Sequence, residues 1–155
     1  MTEQAKRYRI PIYRVALVRE GSHTAERKYA TDSEAVARIL REYLDGIDRE
    51  HFCVVMLDTK NKVIGIHTVS IGTLDAALAT PREVFKPAIL CNAASVILGH
   101  NHPSGDPAPS RDDHALTKRL TDAGEMLGIK VLDHVVIGEL GRYYTFTGCR
   151  EGVGL

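Results

Sequence analysis

The sequence predicts one α/β or α+β domain, in which a mixed β-sheet is flanked by helices. The length of 155 residues suits a single domain that buries one sizeable core. Segments with the alternation or the continuous apolar runs of strands are interspersed with segments of helical apolar periodicity. The linkers between these segments are short, so we expect the elements to share one layered arrangement.

The N-terminal part is predicted to supply one strand and one helix. Ile10–Val18 mixes apolar and polar residues in a pattern that predicts a strand. Ser33–Leu44 carries its apolar residues at helical spacing on one face, which predicts a helix. We expect residues 1–47 to pack, as this strand and helix, on a core formed by residues 48–155 within one compact domain.

A hairpin and a second helix are predicted to follow. His51–Asp58 and Val63–Ser70 are strand-like and are separated by a short polar turn, which favours antiparallel pairing. A helix then begins at Thr80-Pro81-Arg82-Glu83, where a capping threonine, a first-position proline and a capping-box glutamate occur together. This helix is predicted to run to about Cys91.

The C-terminal half is predicted to contain a buried strand, a long helix and a final hairpin. Ala94–Gly99 is almost continuously apolar, as expected of a strand buried on both faces. Ser110–Leu127 is helical in pattern and is closed by Gly128. Val131–Ile137 and Tyr143–Phe146 are the last two predicted strands, and the glycines between them suit a hairpin turn.

The composition limits the classes of function. Lys and Arg total 20 and Asp and Glu total 20, so the formal net charge is zero, which argues against strong non-specific nucleic-acid binding. No apolar run is long enough to span a bilayer, and the N-terminus lacks an export signal, so we expect a cytoplasmic protein with no membrane partner. Three widely spaced cysteines without a CxxC pair, Cys53, Cys91 and Cys149, predict free thiols in a reducing compartment.

The loop that follows the predicted buried strand contains residues suited to a metal site. His100 and His102 are two residues apart at the end of that strand, so their imidazoles point to the same side. Asp113 adds a carboxylate on the first turn of the next helix, after a loop stiffened by prolines. Two histidines and one aspartate leave the fourth position of a tetrahedral zinc ion for water, which is typical of a catalytic zinc site.

Some alternatives remain open on the residues alone. A water activated by zinc needs a carboxylate as base, and both Glu50 and Glu83 are candidates, since spacing gives no geometry to choose between them. Asp106 and Asp112 are alternative carboxylates to Asp113, although Asp106 lies in a tight turn and Asp112 projects about 100° away around the helix. Ser-x-x-Asp is also an ordinary capping-box helix start.

The spacing of these residues resembles the JAMM (MPN+) metallopeptidase motif, His-x-His, seven residues, Ser, two residues, Asp. The motif is carried by His100, His102, Ser110 and Asp113. The surrounding sequence resembles the RadC family within that group, from Asn92-Ala93-Ala94-Ser95 through the loop to Asp133-His134. This resemblance covers roughly Asp48 to Phe146.

This resemblance implies a JAB/MPN-like fold and a role for each motif residue. The two histidines and Asp113 would bind Zn²⁺, Ser110 would help to stabilise the oxyanion, and Glu50 would be the general acid and base. The implied activity is a zinc-dependent hydrolase, a metallopeptidase or isopeptidase whose substrate is a polypeptide. His134 is expected either to support the site from outside or to be a structural histidine.

The family name also implies an alternative function, a DNA-repair-associated protein that interacts with nucleic acid and has a non-catalytic zinc site. Longer RadC-like proteins carry an N-terminal region that resembles helix–hairpin–helix modules, and no such pattern is visible in the residues before Glu50. A homodimer is a further expectation, because the strand Ile10–Val18 could pair at a sheet edge.

Overall fold

In the part of the chain that the structure describes, the fold is a mixed β-sheet flanked by three helices, as predicted. The computed structural model describes residues 9–72 and 79–147, together with the backbone of residues 152–153. The helices are α1 (Ser33–Tyr43), α2 (Pro81–Leu90) and α3 (Arg111–Leu127). The strands are β1 (His51–Leu57), β2 (Val63–Ile71), β3 (Ser95–Asn101), β4 (Lys130–Ile137), β5 (Arg142–Thr145) and β6 (Gly152–Val153).

The strands form one sheet in the order β2-β1-β3-β4-β5-β6. β1 pairs antiparallel with β2 and with β3, and β4 pairs antiparallel with β5, so both predicted hairpins are confirmed. β3 and β4 are parallel, because α3 connects them across one face of the sheet. The loop between the end of β3 and the start of α3 therefore lies at the carboxyl edge of a central strand.

The sheet has a hydrophobic core on each face. Alternate residues of β1 and β3, among them Phe52, Val54 and Leu98, pack against α2 and α3. The intervening residues pack against α1 on the opposite face, where Leu40 lies against the backbone of Gly99. A Cβ at Gly99 would lie 2.6 Å from a Leu40 methyl carbon, so the glycine permits this close approach of α1.

The prediction of a strand over Ile10–Val18 is wrong. Residues 9–25 contain no strand, and large apolar side chains there, such as Ile12 at 98% exposure, face solvent. A strand needs a partner for its backbone N–H and C=O groups, and the described N-terminal segment pairs with the sheet only at a bridge between Tyr29 and Lys62. The proposed dimer contact through a preformed edge strand therefore loses its structural basis.

Smaller predictions have mixed outcomes. The capping box at the start of α2 does not form, because the Thr80 side chain makes no cap hydrogen bond and the Glu83 carboxylate instead bonds Lys86 Nζ at 3.1 Å. Cys53 and Cys91 are free thiols, whereas Cys149 lies outside the described residues. Within the described part of the chain, no helix has the length and apolarity needed to cross a bilayer.

Candidate metal centre

The sheet register brings the two histidines to one end of the sheet. His100 lies opposite Phe52 of β1 and Val136 of β4, and its side chain is fully buried. His102 follows the end of β3, where its backbone N–H donates to Ile137 O at 2.9 Å. The two rings converge, with their Nε2 atoms 2.9 Å apart.

A capping box positions the carboxylate. Ser110 is the N-cap of α3, and its hydroxyl accepts a hydrogen bond from Asp113 N at 3.1 Å. In return, Asp113 Oδ2 accepts a hydrogen bond from Ser110 N at 2.7 Å. Because both bonds are formed, the helix start fixes the rotamer of a buried carboxylate and aims it at the histidines.

Four side chains meet in this cluster. One ligand atom from each of Glu50, His100, His102 and Asp113 lies within 4.8 Å of all the others. Asp113 Oδ1 is 3.4 Å from His100 Nε2, and Asp113 Oδ2 is 3.4 Å from His102 Nε2. Glu50 Oε1 is farther away, at 3.8 Å from His100 Nε2 and 4.0 Å from His102 Nε2.

The hydrogen bonds of His102 select the nitrogen that it presents to the cluster. Its Nδ1 is 2.8 Å from the backbone carbonyl of Asp106, and a carbonyl only accepts, so Nδ1 carries a proton. Nε2 is therefore the atom that is free to bind a metal when the ring is neutral. The hydrogen bond with Asp113 raises the pKa of His102, although burial acts in the opposite direction.

The electrostatics of Asp113 suit a ligand. Burial opposes its ionisation, but the hydrogen bonds and charges of His100 and His102 outweigh burial and hold the pKa of Asp113 well below its usual range. The carboxylate is therefore anionic at neutral pH. An anionic oxygen between two imidazole nitrogens is a favourable arrangement for a divalent cation.

Glu50 lies on the solvent-facing side of the cluster, immediately before β1. Its side chain is 20% exposed, which leaves one side of the carboxylate open to solvent. The backbone on either side of Glu50 is held by Asn101: Arg49 O accepts from Asn101 Nδ2 at 3.0 Å, and His51 N donates to Asn101 Oδ1 at 2.8 Å. Gly72 N also donates to Glu50 O at 2.8 Å, so three hydrogen bonds fix this segment.

The sequence analysis does not predict this role of Asn101. The side chain is buried at the end of β3 and reaches backbone groups about fifty residues earlier in the chain. The available signal was a buried polar residue at the end of an apolar strand, which must find hydrogen-bond partners. The identity of those partners depends on the pairing of β1 with β3 and is not encoded locally.

The other candidate residues lie elsewhere. Glu83, the competing base, is paired with Lys86 on the first turns of α2. Asp106 uses its carboxylate within the loop, where Oδ1 accepts from Ala108 N at 3.0 Å, and Asp112 is exposed. His134 is fully buried beside His100, 2.8 Å from its Nδ1, and so contacts the side of that ring that faces away from the cluster.

The geometry fits a tetrahedral metal ion. Ligands bound at about 2.0–2.1 Å with tetrahedral angles are separated by about 3.3 Å, close to the 3.4 Å from Asp113 Oδ1 to His100 Nε2 and from Asp113 Oδ2 to His102 Nε2. The two Nε2 atoms at 2.9 Å need to separate by a few tenths of an ångström. The donor set of two imidazoles and carboxylate oxygens can hold a divalent ion, so the fold and the cluster define an α+β domain with a candidate metal centre.

Comparison with known proteins identifies the family. Residues 30–152 match the family of RadC-like JAB domains, which covers most of the chain. The protein therefore belongs to the RadC-like JAB domain family, and the resemblance seen in the sequence is confirmed.

Curated relatives are similar over the same region. A UPF0758 protein of Caldanaerobacter subterraneus subsp. tengcongensis is 58% identical over 109 residues, covering 70% of this chain and 47% of the relative. A UPF0758 protein of Moorella thermoacetica is 50% identical over 133 residues, covering 86% of this chain and 56% of the relative. The chain thus spans about half the length of the curated relatives it matches.

Proposed function

We propose that this protein is a zinc-dependent hydrolase of the metallopeptidase or isopeptidase class, which cleaves an amide-type bond in a polypeptide. The observation that carries the proposal is the convergence of Glu50 with His100, His102 and Asp113. Three of these residues would form the ligand set of the ion, and the fourth is a partly exposed carboxylate held slightly farther away. That division is typical of catalytic zinc sites, in which three ligands are accompanied by a general base.

The ligand roles follow from the hydrogen bonds. His100 and His102 would bind the ion through Nε2, and Asp113 would bind through a carboxylate oxygen. When bound, the ion supplies Lewis acidity that lowers the pKa of water and polarises a carbonyl oxygen. Asp113 retains one oxygen for the helix cap, so the cap keeps the carboxylate in place during turnover.

Glu50 is proposed as the group that handles the proton. Its Oε1 would accept the proton of the attacking water and would then deliver it to the leaving amine nitrogen. Three backbone hydrogen bonds hold its segment, so the carboxylate would act from a defined position, while partial exposure lets substrate approach. This arrangement supports proton transfer without a large ordering cost.

Ser110 is proposed as a donor to the oxyanion. The capping bond uses the hydroxyl oxygen as an acceptor, so the hydroxyl proton can still be donated. A lost donor of this type typically lowers the rate about 10²–10³-fold. Ser110→Ala is therefore expected to lower kcat by that order, in addition to a loss of about 1 kcal/mol of stability from the cap.

Metal analysis of the purified protein, followed by cleavage of a peptide library with and without a chelator, tests the proposal. We expect about one zinc per chain and cleavage that a chelator abolishes and added zinc restores. A protein that binds zinc stoichiometrically but cleaves no peptide or isopeptide substrate would contradict the hydrolase assignment. A protein that binds no zinc would contradict the metal centre itself.

Two pairs of variants separate the roles of the ligands and the base. Glu50→Gln should keep zinc and lose turnover, whereas Glu83→Gln removes a carboxylate from an exposed ion pair on α2 and should change neither. His100→Ala should lose both zinc and activity, whereas His67→Ala, at an exposed position of β2, should retain both. Full activity of Glu50→Gln would show that another group is the base.

A further inference from the structure

A chain of hydrogen bonds runs behind the candidate metal centre and connects two of its residues. His100 Nδ1 lies 2.8 Å from His134 Nε2. His134 Nδ1 lies 2.6 Å from Thr117 Oγ1, and that hydroxyl donates to the backbone carbonyl of Asp113 at 2.6 Å. The chain therefore begins on the ring of one proposed ligand and ends on the backbone of another.

The Asp113 carbonyl, at the end of this chain of hydrogen bonds, determines where each proton in it lies. The Asp113 carbonyl only accepts, so it takes the single proton of the Thr117 hydroxyl. Thr117 Oγ1 must then accept from His134 Nδ1–H, which leaves His134 Nε2 as an acceptor when that ring is neutral. His134 Nε2 can only be satisfied by a proton on His100 Nδ1, so His100, when its ring is neutral, presents an unprotonated Nε2 to the cluster.

The surroundings of His134 favour this single arrangement. The ring is fully buried, and each of its two nitrogens lies within hydrogen-bonding distance of a protein group. Phe146 stacks on it with ring centroids 4.8 Å apart and an interplanar angle of 9°, and Phe52 contacts it edge-on at 5.5 Å. The two aromatic contacts prevent the ring from rotating, so its two nitrogens keep their separate partners.

We propose that His134 and Thr117 are positioning residues that set the protonation pattern of His100 and thereby prepare its Nε2 to bind the metal. This inference rests on the proposed metal centre and deepens it, since neither residue would touch the ion or the substrate. The chain also ties His100 on β3 to Asp113 on α3, so that the two ligands are held in register through protein groups alone. Partners of this kind commonly change metal affinity about 10–100-fold when they are removed.

The substitution Thr117→Val tests the donor-to-acceptor direction of these hydrogen bonds without removing the imidazole of His134. Valine has nearly the shape of threonine but cannot accept from His134 Nδ1–H, so His134 is released to carry its proton on Nε2. It would then donate to His100 Nδ1, and His100 would be protonated on Nε2, the atom that faces the cluster. Thr117→Ser restores the hydroxyl, and Thr121→Val places the same change one turn later on α3 as a control.

The first readout is the tautomer of His100 in the metal-free protein, measured from ¹⁵N chemical shifts and ¹⁵N–¹H couplings at about pH 8. We expect the Nδ1–H form in the wild type, Thr117→Ser and Thr121→Val, and the Nε2–H form in Thr117→Val. An Nε2–H form in the wild type, or an unchanged tautomer in Thr117→Val, would overturn the proposal. This measurement requires neither metal nor activity, so it tests the chain even if the metal centre itself fails.

The second readout is the affinity for Zn²⁺ alone, measured by competition with a chelating dye. We expect Thr117→Val and His134→Phe to bind zinc about 10–100-fold more weakly than the wild type, with Thr117→Ser restoring most of the affinity. His134→Phe keeps an aromatic ring for Phe146 to stack on, and circular dichroism checks that each variant is folded. Wild-type affinity in both folded variants would overturn the proposal.

Discussion

The two hydrogen bonds of Asn101 allow a quantitative prediction about the base. Asn101 is buried at the end of β3, and its side-chain amide bonds the backbone of Arg49 and His51, on either side of Glu50. The substitution Asn101→Ala removes both bonds and leaves the ligands of the proposed metal centre unchanged. The segment that carries Glu50 then loses two of the three backbone hydrogen bonds described above and retains the bond from Gly72 N to Glu50 O.

The size of the effect follows from those contacts. Each bond contributes about 0.5–1.5 kcal/mol net, so their loss destabilises the fold by roughly 1–3 kcal/mol. Arg49 is exposed, so water can replace the bond to its carbonyl, which places the loss nearer the lower end of that range. For a domain of this size each kcal/mol lowers Tm by about 2–4 °C. A misplacement of Glu50 by about 1 Å would reduce kcat on the order of 10²-fold.

The assay compares kcat, KM, zinc content and thermal stability of Asn101→Ala with those of Tyr43→Phe. Tyr43→Phe removes the one side-chain hydrogen bond between the Tyr43 and Thr68 hydroxyls and should lower stability comparably without affecting turnover. We expect Asn101→Ala to keep its zinc and KM and to lose kcat. If kcat stays within about threefold of the wild type while stability falls, Asn101 supports the fold and does not position Glu50.

Three further predictions concern the Cys53 thiol, the loop that orients His102 and the removal of bound metal. Burial raises the pKa of the Cys53 thiol to about 12 from an ordinary value near 9, so the unfolded chain releases this proton first as the pH rises. The free energy of unfolding should therefore fall by up to about 1.4 kcal/mol per pH unit above about pH 9, a slope that urea titrations should find missing in Cys53→Ala. A Cβ on Gly138 would lie 2.5 Å from Gly105 O, so Gly138→Ala should displace the loop that orients His102 and weaken zinc binding in a dye competition. Removal of the metal by a chelator should leave the circular dichroism spectrum unchanged and lower only Tm. The reason is that hydrogen bonds within the protein already hold His102 and Asp113. A chelator that unfolds the chain would contradict this prediction.

Local patterns in the sequence predicted most of the elements and the approach of the two histidines. Helical periodicity and caps place α1 and α3 within a residue or two, because these signals depend on neighbours in the chain. The prediction of a strand at Ile10–Val18 is wrong because strand formation depends on residues that are distant in the sequence. A strand pattern states that a segment could pair, but a partner at the right place in the fold decides whether it does.

The choice between Glu50 and Glu83 shows where local reasoning ends. Both are carboxylates near the start of a predicted element, and nothing in their immediate sequence separates them. Glu50 reaches the cluster because the pairing of β1 with β3 sets Phe52 opposite His100, which leaves the residues before β1 beside the end of β3. That register is a property of the whole sheet, so only the family resemblance could anticipate it.

The start of α3 shows that a structural and a chemical interpretation of one motif need not compete. Ser-x-x-Asp predicts a capping box, and the box is formed by Ser110 and Asp113. A carboxylate can accept about four hydrogen bonds or metal contacts, so the bond from Ser110 N leaves Asp113 Oδ1 and part of Oδ2 to face the histidines. The cap thereby fixes the rotamer of a buried anion, and His100 and His102 keep it ionised by offsetting the effect of burial. A helix start can therefore place a carboxylate for metal binding with little further ordering of the side chain. The reason is that the hydrogen bonds that cap the helix N-terminus also orient the carboxylate.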